Sequence, residues 1–158
     1  MKSLIVYYSY SGNTRHVAQT LKECLAQQGE STLLELTSLD ESKSFFGQCR
    51  RAFSKVRAKI AEMNFDVSGH DKIYIGTPVW AFKPAPAMNT FLDKCAGLGG
   101  KEVILFTTYG SGTGNERCLR YMREIIIKKG AKRIGKFSIQ QGHVKDKEFV
   151  IARIKEIV

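Results

Sequence analysis

Six consecutive residues, Ser9, Tyr10, Ser11, Gly12, Asn13 and Thr14, stand between the bulky run Leu4 to Tyr8 and a helical pattern that starts near Val17. They include no acid, base or strong nucleophile, but they concentrate hydroxyls and unhindered backbone N–H groups at the mouth of a helix. Small residues let the chain curl so that successive amides point inward, and the positive end of the helix adds to them. A phosphate is the anion such a cradle holds. An ordinary strand-to-helix turn capped by Asn13 or Thr14 is the other reading of the same residues. A triphosphate loop would need G-x-x-x-x-G-K-[ST], and the lysine is missing. A receiver domain would need acids where the chain has Tyr7 and Tyr8. Ser9 and Arg15 have the spacing of the cysteine and arginine in a cysteine-phosphatase loop. A serine in place of a low-pKa thiolate should hold phosphate without cleaving it.

Two further stretches look specialised. Gly76 to Leu92, GTPVWAFKPAPAMNTFL, contains all three prolines of the chain, Pro78, Pro84 and Pro86, and its one tryptophan, Trp80. Proline fixes backbone angles and removes a donor, so this connection should be rigid and present selected amides and carbonyls. Trp80 and Phe82 offer flat apolar faces, for a ligand or for the core, and Pro86 suits the first turn of the next helix. Thr107 to Asn115, TTYGSGTGN, sets Gly110, Gly112 and Gly114 at alternate positions, which lets backbone approach a ligand closely, with Tyr109 as a second aromatic plane. The dinucleotide pattern G-x-G-x-x-G is not met.

These loops need a scaffold, and the rest of the chain describes one. Short apolar runs alternate with helical stripes, which predicts a doubly wound α/β domain spanning residues 1–158. Strands are expected at Ser3 to Tyr8, Ser31 to Leu36, Lys72 to Gly76, Glu102 to Thr107 and Arg133 to Ile139. Several are apolar on both faces, as buried parallel strands are. Helical stripes run through Val17, Leu21, Cys24 and Leu25, then Phe45, Cys49, Phe53, Val56 and Ile60, then Cys118, Leu119, Met122, Ile125 and Ile126, and a last helix spans Lys147 to Val158. The three specialised loops follow strands one, three and four. In such sheets ligands bind beyond the carboxyl ends of the strands, where the winding reverses.

The 158 residues can bury a core without disulfides. Cys24, Cys49, Cys95 and Cys118 form no C-x-x-C pair and fall mostly on apolar stripes, as reduced thiols of a cytoplasmic protein would, and no metal site is expected. No apolar stretch is long enough for a membrane span. The formal net charge is +10, with basic clusters at Arg50 to Lys59 and Lys128 to Lys136. Such a field attracts anionic partners. No helix-turn-helix, zinc-finger or RNA-recognition signature accompanies it, so nucleic acid is not the expected ligand.

Together the three loops call for a ligand with a phosphate at one end and a planar hydrogen-bonding ring at the other. With SYSGNT, IGTPVW and TTYGSGTG in that order, nearly the whole chain resembles the flavodoxin-like family, in its short form. That resemblance implies a five-stranded parallel sheet of order 2-1-3-4-5 and FMN as cofactor. It places the FMN phosphate on Ser9, Tyr10, Ser11, Gly12, Asn13 and Thr14, and the ring between Thr77, Pro78, Val79, Trp80 and Ala81 on one side and Thr108, Tyr109, Gly110, Ser111, Gly112 and Gly114 on the other. Trp80 and Tyr109 are its implied stacking partners. Two features depart from electron-carrier flavodoxins, which are acidic: the strong positive charge, and the long link Thr37 to Asp71 with its own basic helix near 45–61. Three functions follow as expectations: electron transfer to an acidic redox partner protein; oxidation of NAD(P)H by an FMN-dependent oxidoreductase that reduces a quinone or similar acceptor; or a flavin-free adaptor. No side chain stands out as a catalytic acid or base, and a homo-oligomer is among the assemblies left open.

Overall fold

The computed structural model describes residues 1–40, 44, 46–47, 49–50, 54, 57–110 and 112–157. In chain order the elements are β1 (Lys2–Tyr7), α1 (Asn13–Leu25), β2 (Glu30–Glu35), β3 (Lys72–Trp80), β4 (Lys83–Pro84), α2 (Pro86–Lys94), β5 (Glu102–Tyr109), α3 (Asn115–Lys128), β6 (Arg133–Gln140) and α4 (Lys147–Lys155). Five strands form a parallel sheet in the order β2-β1-β3-β5-β6, and the two-residue β4 pairs antiparallel with β3. With β4 set aside, this is the 2-1-3-4-5 winding expected from the sequence.

The central strands are buried on both faces because helices cover both. On one side Val17, Leu21, Tyr74, Phe106, Phe137 and Val150 join α1 and α4 to the sheet. On the other, Val6, Ile75, Met88, Phe91, Leu105, Leu119 and Met122 join α2 and α3 to it. Phe106 and Phe137, cross-strand partners, stack with centroids 5.4 Å apart. Among the described residues no helix is long and apolar enough to cross a membrane.

Three expectations need correction. Strand three does not stop at Gly76: it continues through Pro78 to Trp80 and turns back into β4. Proline is tolerated there because β1 pairs with β3 only as far as Tyr7 opposite Gly76, after which the Tyr8 N–H closes on the Gly76 carbonyl at 3.1 Å. No partner on that side needs the missing N–H. The last helix ends at Lys155, short of Val158. The helix near 45–61 falls largely outside the described residues, including Phe45, Phe53 and Val56 of its stripe. Its expected end is not helical, since Arg57 to Lys59 are irregular and Ile60 bridges Ser38.

Candidate functional site

The winding reverses between β1 and β3, and the segments after β1, β3 and β5 meet at the carboxyl ends of these strands. At the first of them the N-cap of α1 is Gly12, at φ +89°, and no side chain caps the helix. The expected caps, Asn13 and Thr14, are instead its first two residues. Gly12 suits this place because a left-handed conformation strains any residue with a Cβ, and the space where that Cβ would stand is open. The Ser9 hydroxyl oxygen accepts the Arg15 N–H at 3.2 Å. The buried Thr14 and Thr108 hydroxyls lie 2.8 Å apart and tie the first loop to the end of β5. The result is a helix N-terminus surrounded by hydroxyls, where the amides of Asn13 and Thr14 have no side-chain cap from Gly12 and can donate to an anion.

The Arg15 guanidinium is turned away from this cradle. It grips Glu35 of β2 through two contacts, Nη2 to Oε1 at 2.6 Å and Nε to Oε2 at 3.0 Å. The Tyr7 hydroxyl donates to the same carboxylate at 3.0 Å. Burial, then the hydrogen bond to and charge of Glu35, push the Tyr7 phenol up to about 12. The six-residue spacing of Ser9 and Arg15 therefore does not bring the two side chains to one anion.

Beyond the cradle opens a cleft of two adjoining compartments. One, about 360 Å³, is lined by Tyr10, Ser11, Asn13, Pro78, Val79, Trp80, Thr108, Tyr109, Gly110 and Gln141. The other, about 500 Å³, shares Val79, Tyr109, Gly110 and Gln141 with it and adds Cys49, Ala81, Phe82 and Thr113. Trp80, an implied stacking partner, lines the first compartment but offers it little surface. It is 3% exposed, with the rings of Tyr8 and Tyr10 edge-on against it at 5.7 and 5.4 Å. The accessible aromatic surface belongs to Tyr10 and Phe82, each 41% exposed, and the half-buried Tyr109.

Rigidity on the β3–β4 side comes from Thr77, whose hydroxyl accepts the Ala85 N–H at 3.1 Å and donates to the Pro78 carbonyl at 3.1 Å. The hairpin tip is tight: Ala81 and Phe82 have φ +46° and +65°, a conformation that side chains resist and that two-residue hairpins require. Phe82 rests beneath the Arg117 guanidinium, 5.6 Å from its ring centre, in the space that a Cβ on Gly114 would occupy. Gly114 is the N-cap of α3 at φ +105° and, like Gly112, does not line the cleft. Ser111 lies outside the described residues.

Cys49, Thr113 and Gln141 were not singled out from the sequence. Cys49 belongs to the stripe read as core, and its thiol is pushed up by burial. Gln141 opens the turn after β6, where neighbouring Gln140 donates through Nε2 to the Gly110 carbonyl at 3.3 Å; the polar pair QQGH after a strand was the available signal. His143 stacks on Phe149 at 4.6 Å and is not among the cleft-lining residues. All four cysteines are free. Among the described residues no group of three His, Cys, Asp or Glu could hold a metal.

Comparison with known proteins agrees with this architecture. Residues 2–146 match the family model described as Flavodoxin. A protein of Bacteroides uniformis provisionally termed a flavoprotein superposes with a TM-score of 0.75 at 21% identity, covering 98% of this chain and 97% of the other. A flavoprotein from Lactobacillus acidophilus, solved in complex with FMN, gives 0.62 at 22%, covering 93% and 98%. An NADH:FMN oxidoreductase in its apo form gives 0.66 at 16%, covering 99% and 88%. At such identities the structures speak for the fold.

Proposed function

The chain belongs to the flavodoxin family, and from that premise we propose that it binds FMN in the cleft beyond β1, β3 and β5 and transfers electrons through it. The observation that carries this reading is the pairing, in one cleft, of a hydroxyl-rich helix N-terminus whose N-cap is glycine at one end with aromatic walls at the other. The donor set fits a phosphomonoester: the amides of Asn13 and Thr14 at the start of α1, the hydroxyls of Ser9 and Ser11, and the open side of Gly12. The walls fit a planar ring system: Tyr10 and Tyr109 offer faces, Trp80 braces Tyr10, and backbone from Thr77 to Ala81 and at Gly110 supplies donors and acceptors for a polar ring edge. FMN would supply one- and two-electron redox chemistry. The protein's part is to bind and orient it, to exclude water with the β3–β4 hairpin, and to set the surrounding charge.

The two apolar layers, which meet one continuous sheet, support reading residues 1–158 as one domain. Electron transfer to partner proteins is the first reading. The second compartment favours another, because it leaves room beside a bound ring for a small molecule such as NAD(P)H or a quinone. A structurally similar protein is an NADH:FMN oxidoreductase.

Quenching of FMN fluorescence by the purified protein tests the cofactor. Saturable quenching at micromolar concentration is expected, and its absence would overturn the proposal. Steady-state oxidation of NADH and NADPH with a quinone, set beside cytochrome c reduction through a partner reductase, separates reductase from carrier.

A further inference from the structure

On the α3 side of the sheet lies a groove of about 310 Å³ that shares no lining residue with the cleft. Leu105, Leu119 and Ile134 form its floor, and Arg120, Arg123 and Lys136 stand around it. Its origin is the strand register. Val103 and Leu105 of β5 lie opposite Ile134 and Lys136 of β6, so both β6 side chains rise on the α3 face, where α3 covers β5 and leaves β6 partly open. β6 is also an edge. Among the described strands it pairs only with β5, so one side of the eight residues Arg133–Gln140 carries a row of N–H and C=O groups with no strand beside it. Arg120 and Arg123 stand one helical turn apart, exposed, and among the described residues neither forms an ion pair. Lys136 pairs with Glu116, the one acid of the groove.

We propose that this groove docks an extended, acidic segment of a partner protein, laid along β6 as a further strand with its carboxylates toward Arg120, Arg123 and Lys136. The strand edge supplies main-chain hydrogen bonds, and among the side chains that point into the groove, every second one along the strand, the apolar ones meet the aliphatic floor and the acidic ones meet the cations. A second copy of this chain is the poorer occupant: pairing β6 with β6 would bring Arg120, Arg123, Arg133 and Lys136 of both copies together on chains of net charge +10. The proposal rests on the groove alone and holds whether or not the cleft takes FMN.

The test uses the full chain and a dye-labelled eight-residue peptide, ESVSESVS, one face of which carries Glu and Val in turn. Fluorescence anisotropy should show saturable binding at low salt that weakens as salt is added. Amide exchange should slow along Arg133–Gln140 when peptide is present. The R120E/R123E variant should lose at least about tenfold in affinity, while K22E/K155E, with the same charge change on α1 and α4, stays near the parent. All four side chains are exposed, and circular dichroism checks that both variants remain folded. No binding at low salt, equal losses in the two variants, or unchanged β6 exchange in the parent protein would each overturn the proposal. So would a mixed-sequence oligonucleotide that displaces the peptide at equal affinity, which would make the groove a general anion site. A dimer in light scattering that the peptide dissociates would assign the edge to self-association.

Discussion

Thr14 and Thr108 are hydroxyls buried against each other 2.8 Å apart. A buried hydroxyl left without a partner costs about 1–3 kcal/mol, whereas removing both partners together costs little. Thr14→Val should therefore lower stability to urea by about 1–3 kcal/mol, and the T14V/T108V double variant should recover most of the loss. If the double variant is as unstable as the single, the pair does not act as a pair. Tyr7 yields a pH dependence whose direction follows from its environment. Its phenol titrates near 10 in the unfolded chain and about 12 in the fold, so between these values the unfolded chain binds fewer protons than the native one. The stability Tyr7 contributes is complete below pH 10 and drains away as pH rises toward 12. Urea midpoints across pH 9–12 should fall, and fall less in Tyr7→Phe. Arg15 and Glu35 belong to the same cluster, and nothing local could have paired them: twenty residues separate them, and only the β1–β2 register sets Tyr7 beside Glu35. The hydroxyl-rich turn that opens α1, by contrast, was legible because consecutive residues make it a local object.

At the scale of elements, the β3–β4 hairpin is the least anticipated feature. Its prolines suggested a rigid connection after a strand ending at Gly76, but Pro78 lies in the strand itself, beyond the reach of β1, and the turn falls on Ala81 and Phe82 at positive φ. The left-handed conformation costs an alanine roughly 1–2 kcal/mol, and glycine returns about 0.4–1 kcal/mol of that through the freedom of the unfolded chain. Ala81→Gly should thus stabilise the protein by about 0.5–1 kcal/mol and raise the melting temperature by roughly 1–4 °C. A lowered melting temperature would mean that the tip is not held in this conformation. Gly76 makes the opposite demand. A methyl group there would run into the Phe106 ring, itself stacked on Phe137. Gly76→Ala should destabilise by about 1–3 kcal/mol as the ring is displaced, measured by thermal or urea unfolding. The helices were the easier elements to read, because a stripe such as Cys118, Leu119, Met122 and Ile126 is periodic within one segment. Their ends were harder, because α1 begins at a left-handed glycine and α4 stops short of the apolar Ile157.

For the whole molecule the governing quantity is the net charge of +10. If FMN occupies the cleft, each electron it receives adds negative charge that this field stabilises. A single positive charge ~10 Å away contributes ~0.4 kcal/mol at the dielectric of water, roughly 18 mV for one electron. Several together raise the midpoint potential by tens of millivolts, and salt screens them. Anaerobic titrations at low and high ionic strength should show the potential falling as salt is added; a salt-independent potential would remove charge from the account. The sequence alone determined the parallel α/β winding, the hydroxyl-rich turn after the first strand and the sign of the field, because apolar periodicity, a run of small polar residues and composition are properties of neighbouring residues or of simple counts. Only the tertiary structure decided how far β3 runs, that Trp80 is buried between Tyr8 and Tyr10, that Arg15 faces Glu35, and that Cys49, Thr113 and Gln141 reach the cleft. Each of these depends on which distant segments the sheet brings into register, and burial and pairing energies choose that register across the chain as a whole.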